Sequence, residues 1–226
     1  MDIREQLGIF YQIEEGLKIV DIHEQLTIAE YQTTAESFRE GTWNHDVSQN
    51  RDALVAAIPR NPGKILDIGC GPGRDLVEFK AQGHTAIGLD ATPAFVEMAQ
   101  QASGCEVWQQ SFLSLDLPPE TFDGIFANAS LIHVPRLEMV RVLQDLRRSL
   151  VYQGAIAMSM VRGKREGYTT RPTGDRYVVE WEYETLSLCL QQAGFEILHH
   201  YYRPPGLPCE AQPWLVIVAR KQMNEV

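Results

Sequence analysis

From residue 64 to residue 220, short apolar runs alternate with segments whose apolar residues recur every three or four positions. The runs predict strands, and the helical spacing predicts amphipathic helices between them. Glycine follows two of these helices, at Gly83 and Gly194, and proline begins two others, at Pro93 and Pro135. Strands are predicted over 64–68, 85–89, 106–108, 122–127 and 155–161, with helices over 46–58, 74–82, 93–102, 135–150 and 182–193.

Alternating strands and helices predict an α/β fold in which a parallel sheet carries helices on both faces. Two more strands, over 195–201 and 214–220, follow each other without a helix between them. The connection at 203–208 is too short and too rich in proline for a crossover, so these strands should pair antiparallel at one sheet edge. The prediction is therefore a seven-stranded sheet, parallel except for a C-terminal hairpin.

Two segments depart from this pattern. Residues 1–46 are rich in Glu, Gln and isolated aromatic residues. We expect one or two helices and a loop there, acting as a lid on the main domain or as a solvated connector. Residues 162–180 are longer than most loops of compact domains and hold five cations with Tyr168 and Tyr177 interleaved. They are expected to form either a loop that recognises an anionic group or a solvated surface.

The composition disfavours several classes of protein. Twenty basic and thirty acidic residues give a net charge of −10 and a pI of about 5.1, a field that repels nucleic-acid backbones. Purely apolar runs reach only six residues, as at 214–219, which is far short of a membrane span, and residues 1–5 lack a signal-peptide pattern. The four cysteines are too scattered for a disulfide framework or a zinc site. We expect a cytoplasmic protein with no metal and no nucleic-acid or membrane partner.

The strongest local pattern is LDIGCGPGR, which directly follows the first predicted strand and begins a helix. Its glycines, Gly69, Gly71 and Gly73, allow a sharp turn and let a ligand lie against bare backbone. Asp90 ends the second strand, 19 residues beyond Gly71 (90 − 71). A carboxylate at that spacing accepts hydrogen bonds from the ribose hydroxyls of a nucleoside.

The pattern disfavours a dinucleotide. The dinucleotide fingerprint is GxGxxG, and Arg74 holds the slot of its third glycine, which must be small for close helix–strand packing. A Walker loop is also absent from the sequence. Asp67, just before the glycines, would repel a pyrophosphate but suits a cationic group. The predicted ligand has a ribose at one end and a positive amino group at the other.

These residues resemble the glycine motif of the class I S-adenosylmethionine-dependent methyltransferases. That motif begins with Asp or Glu and continues with three glycines, one at every second position. Asp67, Gly69, Gly71 and Gly73 match it in full. The family's ribose-binding acid falls on Asp90.

Other stretches extend the resemblance over about residues 31–220. The strand at 122–128, the Ala-Gly-Phe motif at 193–195 and the final hairpin are similar to the family's, and residues 40–50 and 127–135 resemble a bacterial subgroup that acts on small molecules. One stretch departs. Many members carry Asp or Glu against the adenine amino group after the third strand, where this chain has QQSF.

The resemblance implies a Rossmann-like sheet, with residues 47–226 as the cofactor-binding catalytic domain and residues 1–46 as a helical lid segment. It implies S-adenosylmethionine as cofactor, S-adenosylhomocysteine as product and no metal. The expected cofactor-binding residues are Asp67, Gly69, Cys70, Gly71, Gly73, Asp90, Ala91, Ser111, Phe112, Asn128 and Tyr31.

The expected reaction is methyl transfer to a nitrogen, oxygen or sulfur of a small molecule, by a monomer or homodimer. In such a displacement the protein mainly aligns the acceptor and excludes water. If a proton must leave, His133 or His45 is the expected base, although His133 is equally well explained as a polar loop residue. The expected substrate contacts are Thr42, Arg162, Tyr168, Arg171 and Tyr177.

Three alternatives remain open. An aminopropyl transferase has the same fold, but no acidic cluster suited to a polyamine is apparent in the sequence. A protein that binds S-adenosylmethionine or another nucleoside without catalysis would keep the same glycine turn. A methyltransferase acting on protein or RNA would be expected to add a recognition domain or a basic face.

Overall fold

The computed structural model describes residues 19–222. In that range the helices are α1 (Ile19–Thr42), α2 (Ser48–Ala57), α3 (Arg74–Ala81), α4 (Pro93–Ser103), α5 (Arg136–Ser149) and α6 (Tyr183–Gln192). The strands are β1 (Lys64–Ile68), β2 (Thr85–Asp90), β3 (Glu106–Gln109), β4 (Phe122–Asn128), β5 (Leu150–Val161), β6 (Glu166–Arg171), β7 (Gly174–Val179), β8 (Phe195–Arg203) and β9 (Trp214–Lys221). Short 3-10 turns lie at Leu131–His133 and Cys209–Ala211. The predicted strands and helices are all present, and β5 begins at Leu150 rather than Ala155.

Seven strands form one sheet in the order β3-β2-β1-β4-β5-β9-β8. Strands β1 to β5 pair in parallel, whereas β9 is antiparallel to both β5 and β8. The predicted α/β sheet with a C-terminal antiparallel hairpin is therefore confirmed. The order of the strands reverses between β1 and β4, because β2 and β3 lie on one side of β1 whereas β4 and β5 lie on the other. The carboxyl ends of β1, β2 and β4 border one crevice at this point, which is where open α/β sheets bind ligands.

Both faces of the sheet are covered by helices, as buried parallel strands require. On one face α2, α3 and α4 pack on the central strands. The ring centroids of Phe79 and Phe126 lie 5.3 Å apart there. On the other face α5 and α6 pack around fully buried Phe122 and Phe195. Each such side chain stabilises the fold by about 1.5–3 kcal/mol when it leaves water. The strand ends that border the crevice are therefore rigidly placed.

Residues 162–180 do not form the expected loop. They contain the antiparallel hairpin β6–β7, in which Tyr168 pairs with Tyr177. The correction has a physical reason, since Thr169, Thr170 and Val178 are β-branched residues that favour strands. The cations between them obscure the two-residue alternation that normally reveals a strand. A two-stranded hairpin is marginal alone, and this one packs against α1.

Helix α1 lies beside the crevice and packs against β7 and α4. The described part of the predicted N-terminal segment is thus a single long helix, while residues 1–18 and 223–226 lie outside the described residues. The division of the chain at residue 46 stays a prediction. No helix within residues 19–222 has the length and apolar character needed to cross a bilayer.

Candidate active site

The glycine turn joins β1 to α3 at the floor of the crevice. Gly69, Gly71 and Gly73 have φ values of +68°, +52° and +90°, which L side chains rarely adopt. A Cβ on Gly69 would overlap the Ser130 side chain, and a Cβ on Gly73 would lie 2.7 Å from the Cα of Ala99 in α4. Gly69 therefore allows the glycine turn to lie close to Ser130 after β4, whereas Gly73 allows α3 and α4 to pack closely.

Asp90, at the end of β2, holds the glycine turn in place. The Gly71 N–H donates to its Oδ2 (3.0 Å), and the Thr92 N–H donates to its Oδ1 (2.8 Å). Burial raises the pKa of this carboxyl, and the backbone hydrogen bonds oppose that rise. Each oxygen has a second lone pair, and Asp90 lines the crevice. The carboxylate is therefore suited to accept hydrogen bonds from the two hydroxyls of a ribose.

Asp67, near the end of β1, is the other buried carboxylate of the turn. Its Oδ2 has no hydrogen-bond partner although the residue is only 3% exposed. Burial, followed by the charge of Asp75, raises the pKa of this carboxyl. A buried polar atom without a partner costs about 1–3 kcal/mol. Because Asp67 also lines a cavity, that oxygen is available to a ligand that brings a donor or a positive charge.

Two arginines form ion pairs with Asp75, the third acidic residue near the glycine turn. Arg51 Nη1 and Arg74 Nη2 each lie 2.6 Å from a carboxylate oxygen of Asp75. Arg74 also donates to the backbone carbonyl of Thr42 (3.0 Å) at the end of α1. The arginine that replaces the third dinucleotide glycine therefore links the glycine turn to the helix beside it.

Two cavities meet at the glycine turn, and Gly69, Gly71 and Phe38 line both of them. We name them the Asp90 cavity and the Asp67 cavity. The Asp90 cavity is also lined by residues of α1 and of the ends of β2 to β4: Glu24, Thr27, Ile28, Tyr31, Ala91, Thr92, Phe95, Phe112, Leu113, Ser130, His133 and Val134. The Asp67 cavity is also lined by residues that include Thr42, His45, Asp46, Asn50, Cys70, Arg74, Asn128, Arg203 and Trp214.

Glu24 of α1 enters the Asp90 cavity beside the segment that follows β3. The Ser111 hydroxyl donates to Glu24 Oε1 (2.5 Å), and the backbone of Phe112 also hydrogen-bonds this carboxylate. Burial raises the pKa of Glu24, while both hydrogen bonds lower it. The carboxylate of Glu24 therefore lies beside the segment that follows β3, although that segment, QQSF, has no acidic residue of its own.

His133 lies on the 3-10 turn after β4 and lines the Asp90 cavity. Its Nδ1 is 2.6 Å from the carbonyl oxygen of Tyr177, which can only accept, so Nδ1 carries the proton. In the neutral ring Nε2 then has a lone pair, and the Tyr31 hydroxyl donates to it at 3.0 Å. The pair Tyr31–His133 presents one hydroxyl and one basic nitrogen at the edge of the cavity.

The other residues expected at the Asp67 cavity are placed as follows. Thr42 donates its hydroxyl to the Phe38 carbonyl (2.7 Å), and His45 is exposed at the rim. Asn128 Oδ1 accepts a hydrogen bond from Asn50 Nδ2 (2.8 Å). Cys70 is buried, and burial raises the pKa of its thiol. His45 and His133 therefore line different cavities.

The predicted substrate residues of the hairpin region are mostly engaged elsewhere. Tyr177 donates its hydroxyl to Glu166 (2.6 Å), and Tyr168 contacts His23 Nδ1 (2.7 Å). Arg162 donates to the Cys209 carbonyl. Neither of the two cavities is lined by Arg162, Tyr168 or Tyr177. Arg171 ends β6, away from the glycine turn in sequence. A substrate role for these four residues stays a prediction.

Helix α1 contributes four lining residues of the Asp90 cavity that sequence reasoning missed. Glu24, Thr27, Ile28 and Phe38 join the predicted Tyr31 on one face of the helix. Their spacing of three and four residues is the signal that would have found them. At this cavity the other omissions are Thr92, Phe95, Leu113, Ser130 and Val134, and no local pattern distinguishes them from ordinary residues near strand ends.

A family described as a methyltransferase domain matches residues 65–154. The chain also superposes on a Burkholderia thailandensis 1,6-didemethyltoxoflavin-N1-methyltransferase, solved with 1,6-didemethyltoxoflavin and S-adenosylhomocysteine, with a TM-score of 0.72. That likeness has 23% identity, covers 92% of each chain and concerns the fold. Residues 65–154 therefore resemble a methyltransferase domain, and the chain has the fold of the Burkholderia enzyme.

Curated relatives of the methyltransferase domain act on different molecules. A trans-aconitate 2-methyltransferase from Azoarcus sp. (strain BH72) is 32% identical over 119 residues, which cover 51% of this chain and 46% of the relative. A sterol 24-C-methyltransferase from Gibberella zeae is 24% identical over 178 residues, which cover 70% of this chain and 46% of the relative. The chain thus spans about half the length of these curated relatives.

The residues of the methyltransferase domain fit S-adenosylmethionine. The unpartnered Oδ2 of Asp67 suits the amino group of the methionine part, and Asp90 suits the ribose. Gly69, where any side chain would overlap Ser130, lies two residues after Asp67 and lines both cavities. Among residues 19–222 no group of three or more His, Cys, Asp or Glu side chains is arranged to hold a metal ion.

Proposed function

We propose that this protein transfers a methyl group from S-adenosylmethionine to a nitrogen, oxygen or sulfur atom of a small molecule. The observation that carries the proposal is the pair of buried carboxylates on the two sides of the glycine turn. Asp67 has an oxygen without a partner, and Asp90 is fixed by two backbone N–H groups. This arrangement suits a ligand with an ammonium group at one end and a ribose at the other.

S-adenosylmethionine, when bound, supplies a methyl group that its positively charged sulfur already activates. The residues of the chain then need only hold and orient the reactants and keep water away. Asp90 accepts from the ribose hydroxyls, Asp67 pairs with the amino group, and Phe112 forms an apolar wall of the Asp90 cavity. Gly69 and Gly71, which the two cavities share, expose bare backbone at their junction.

A small acceptor is favoured by the cover over the crevice and by charge. Helix α1 and the β6–β7 hairpin pack against each other beside the crevice, which suits a molecule enclosed by the protein. The net charge of −10 disfavours an RNA acceptor. The likeness in fold to an enzyme solved with a small heterocycle, 1,6-didemethyltoxoflavin, supports the same class.

His133 is proposed as the residue that takes a proton when the acceptor must lose one. Its protonated Nδ1 is held by the Tyr177 carbonyl, so the lone pair of Nε2 faces the Tyr31 hydroxyl at the cavity. A base held in this way keeps one tautomer and one orientation. His45, at the exposed rim of the Asp67 cavity, is the second proposed base.

The test is a transfer assay with methyl-labelled S-adenosylmethionine. Purified wild-type protein is incubated with panels of small amines, thiols, phenols and carboxylic acids, with total RNA, and with a protein mixture. Label transferred to a small molecule, and lost in Asp90→Ala, is the expected result. Label found only in RNA or protein would overturn the acceptor class, and tight binding without transfer to any panel would indicate a protein that binds the cofactor without catalysis.

A further inference from the structure

The Asp90 cavity has two carboxylates at its two sides. Asp90 lies at the end of β2, where a ribose would be held, and Glu24 approaches from α1. The hydroxyl of Thr27, another polar group of this wall, is already used, because it donates to the His23 carbonyl (2.9 Å) and accepts from the Tyr177 N–H (3.0 Å). Glu24 is therefore the strongest acceptor left on the α1 side of the cavity.

The carboxylate of Glu24 lies beside the segment that follows β3, the strand next to the one that Asp90 ends. Asp90 pairs with Gln109 in the register of β2 and β3, and the Gln110 N–H donates to the Asp90 carbonyl (3.2 Å). Ser111, the next residue, donates to Glu24. Asp90, Glu24 and Phe112 thus line one cavity, in which Glu24 is bonded to the segment after β3.

Glu24 also has acceptor capacity left for a ligand. An ionised carboxylate has about four lone-pair sites, and the hydroxyl of Ser111 and the backbone of Phe112 use two of them. The 6-amino group of adenine is a donor with two hydrogens, whereas guanine and hypoxanthine carry an acceptor oxygen at the same position. A partly buried carboxylate at this place attracts the first and repels the second.

We infer that Glu24 of α1 accepts a hydrogen bond from the 6-amino group of the cofactor's adenine, so that this helix itself selects the base. The inference rests on the proposed function. It places a cofactor-binding residue outside the matched methyltransferase domain, which begins at residue 65. Packing of α1 on the domain and binding of the cofactor then become coupled, because the hydrogen bond between Glu24 and the 6-amino group joins the helix to the cofactor.

The test compares S-adenosylhomocysteine with its analogue that lacks the 6-amino group, titrated calorimetrically into wild-type protein and variants. Wild type should prefer S-adenosylhomocysteine by about 10- to 100-fold, the usual worth of a hydrogen bond to a charged group. Glu24→Ala should bind the two ligands within about two-fold of each other. Glu24→Gln, which has nearly the same shape and keeps an acceptor oxygen, should retain only part of the preference.

Glu36→Ala is the matched control, because Glu36 lies on the exposed side of the same helix and only approaches Arg39 (3.9 Å). It should keep the wild-type ratio. Wild-type protein that binds both ligands equally, or Glu24 variants that keep the wild-type ratio, would overturn the inference and leave the proposed function intact. Wild-type protein that binds neither ligand would overturn the proposed function as well, so the two failures are distinguishable.

Discussion

Two regions border the crevice, and they are built in different ways. We call the carboxyl ends of β1, β2 and β4 with the glycine turn the sheet edge, and α1 with the β6–β7 hairpin the cover. At the edge, residues close in sequence supply the binding groups, because Asp67 lies near the end of β1, Gly69 and Gly71 follow that strand, and Asp90 ends its neighbour. In the cover, α1 and the β6–β7 hairpin are joined by residues far apart in sequence. The guanidinium of Arg176 pairs with Glu30, 146 residues away. Its Cζ also lies 3.9 Å from the centroid of the Tyr31 ring.

The electrostatics of the two regions differ as well. In the cover, the buried charges of Glu30 and Arg176 are paired and also bonded to Thr34 and Thr173. At the sheet edge, Asp67 is left with an unpartnered oxygen. A paired, buried network fixes a structure, whereas an unpaired buried carboxylate lowers stability until a ligand arrives. The paired charges of the cover thus hold its shape, whereas the sheet edge keeps a buried acceptor oxygen without a partner.

The largest effect expected is in the cover, from Arg176→Ala. The change leaves Glu30 buried without its cation, which typically costs about 3–5 kcal/mol. Hydrogen exchange should show faster opening of α1 and β7, while β1 and β4 stay protected. The matched control is Arg148→Ala, because Arg148 is 70% exposed in its pair with Asp145, and it should change stability by less than about 1 kcal/mol. Equal loss of protection in the sheet would contradict a separately stabilised cover.

The next effect concerns the contact between the two regions, the pair Tyr31–His133. With an acceptor that loses a proton during transfer, His133→Ala should lower kcat by about 100-fold or more. Tyr31→Phe keeps the ring and removes the hydroxyl, so its effect should be smaller. His45→Ala should change kcat less than either. Unchanged kcat in His133→Ala, with S-adenosylhomocysteine still bound, would reduce His133 to a loop residue.

At the sheet edge, Asp67→Asn should stabilise the protein without ligand. Burial raises the pKa of Asp67 in the folded state. Below about pH 4 the carboxyl is protonated in both states, so wild type and variant should be equally stable there. As the pH rises towards the folded-state pKa, the unfolded chain ionises first and wild type loses stability relative to the variant.

Urea unfolding at pH 4 and pH 7.5 measures this difference. At pH 7.5 Asp67→Asn should be more stable by about 1–3 kcal/mol, the usual cost of an unsatisfied buried group, and should bind S-adenosylhomocysteine more weakly. Asp116→Asn, at an exposed position, is the matched control and should change stability by less than about 0.5 kcal/mol. A variant less stable than wild type at pH 7.5 would mean that Asp67 is satisfied in the protein without ligand.

The smallest effect expected is at the outer end of the cover. Tyr168→Phe removes a hydroxyl that contacts His23 Nδ1 at an exposed site (2.7 Å). A neutral hydrogen bond of this kind contributes about 0.5–1.5 kcal/mol, and exposure places this one at the low end. Chemical unfolding of Tyr168→Phe beside Tyr152→Phe, an exposed tyrosine, measures the difference. A loss above about 2 kcal/mol would mean that the outer end also holds the cover together.

The contrast between the two regions explains what the sequence could reveal. The strands and the glycine turn follow from local patterns, and Asp67 and Asp90 were found because strand ends and glycine spacing define their places. Glu24 was missed because its partner Ser111 is 87 residues away. The hairpin was missed because cations interrupt its alternating residues, and Arg176 is buried by α1 rather than by its own strand. Pairings at such separation leave no local pattern.

The central claim is that the crevice beside α1 binds S-adenosylmethionine through Asp90 and Asp67. The most direct test is calorimetric titration of wild type and Asp90→Ala with S-adenosylmethionine and S-adenosylhomocysteine, with Asp116→Ala as the exposed control. We predict binding in the micromolar range by wild type and the control, and none by Asp90→Ala. Failure of well-folded wild type to bind either ligand, or undiminished binding by Asp90→Ala, would contradict the claim.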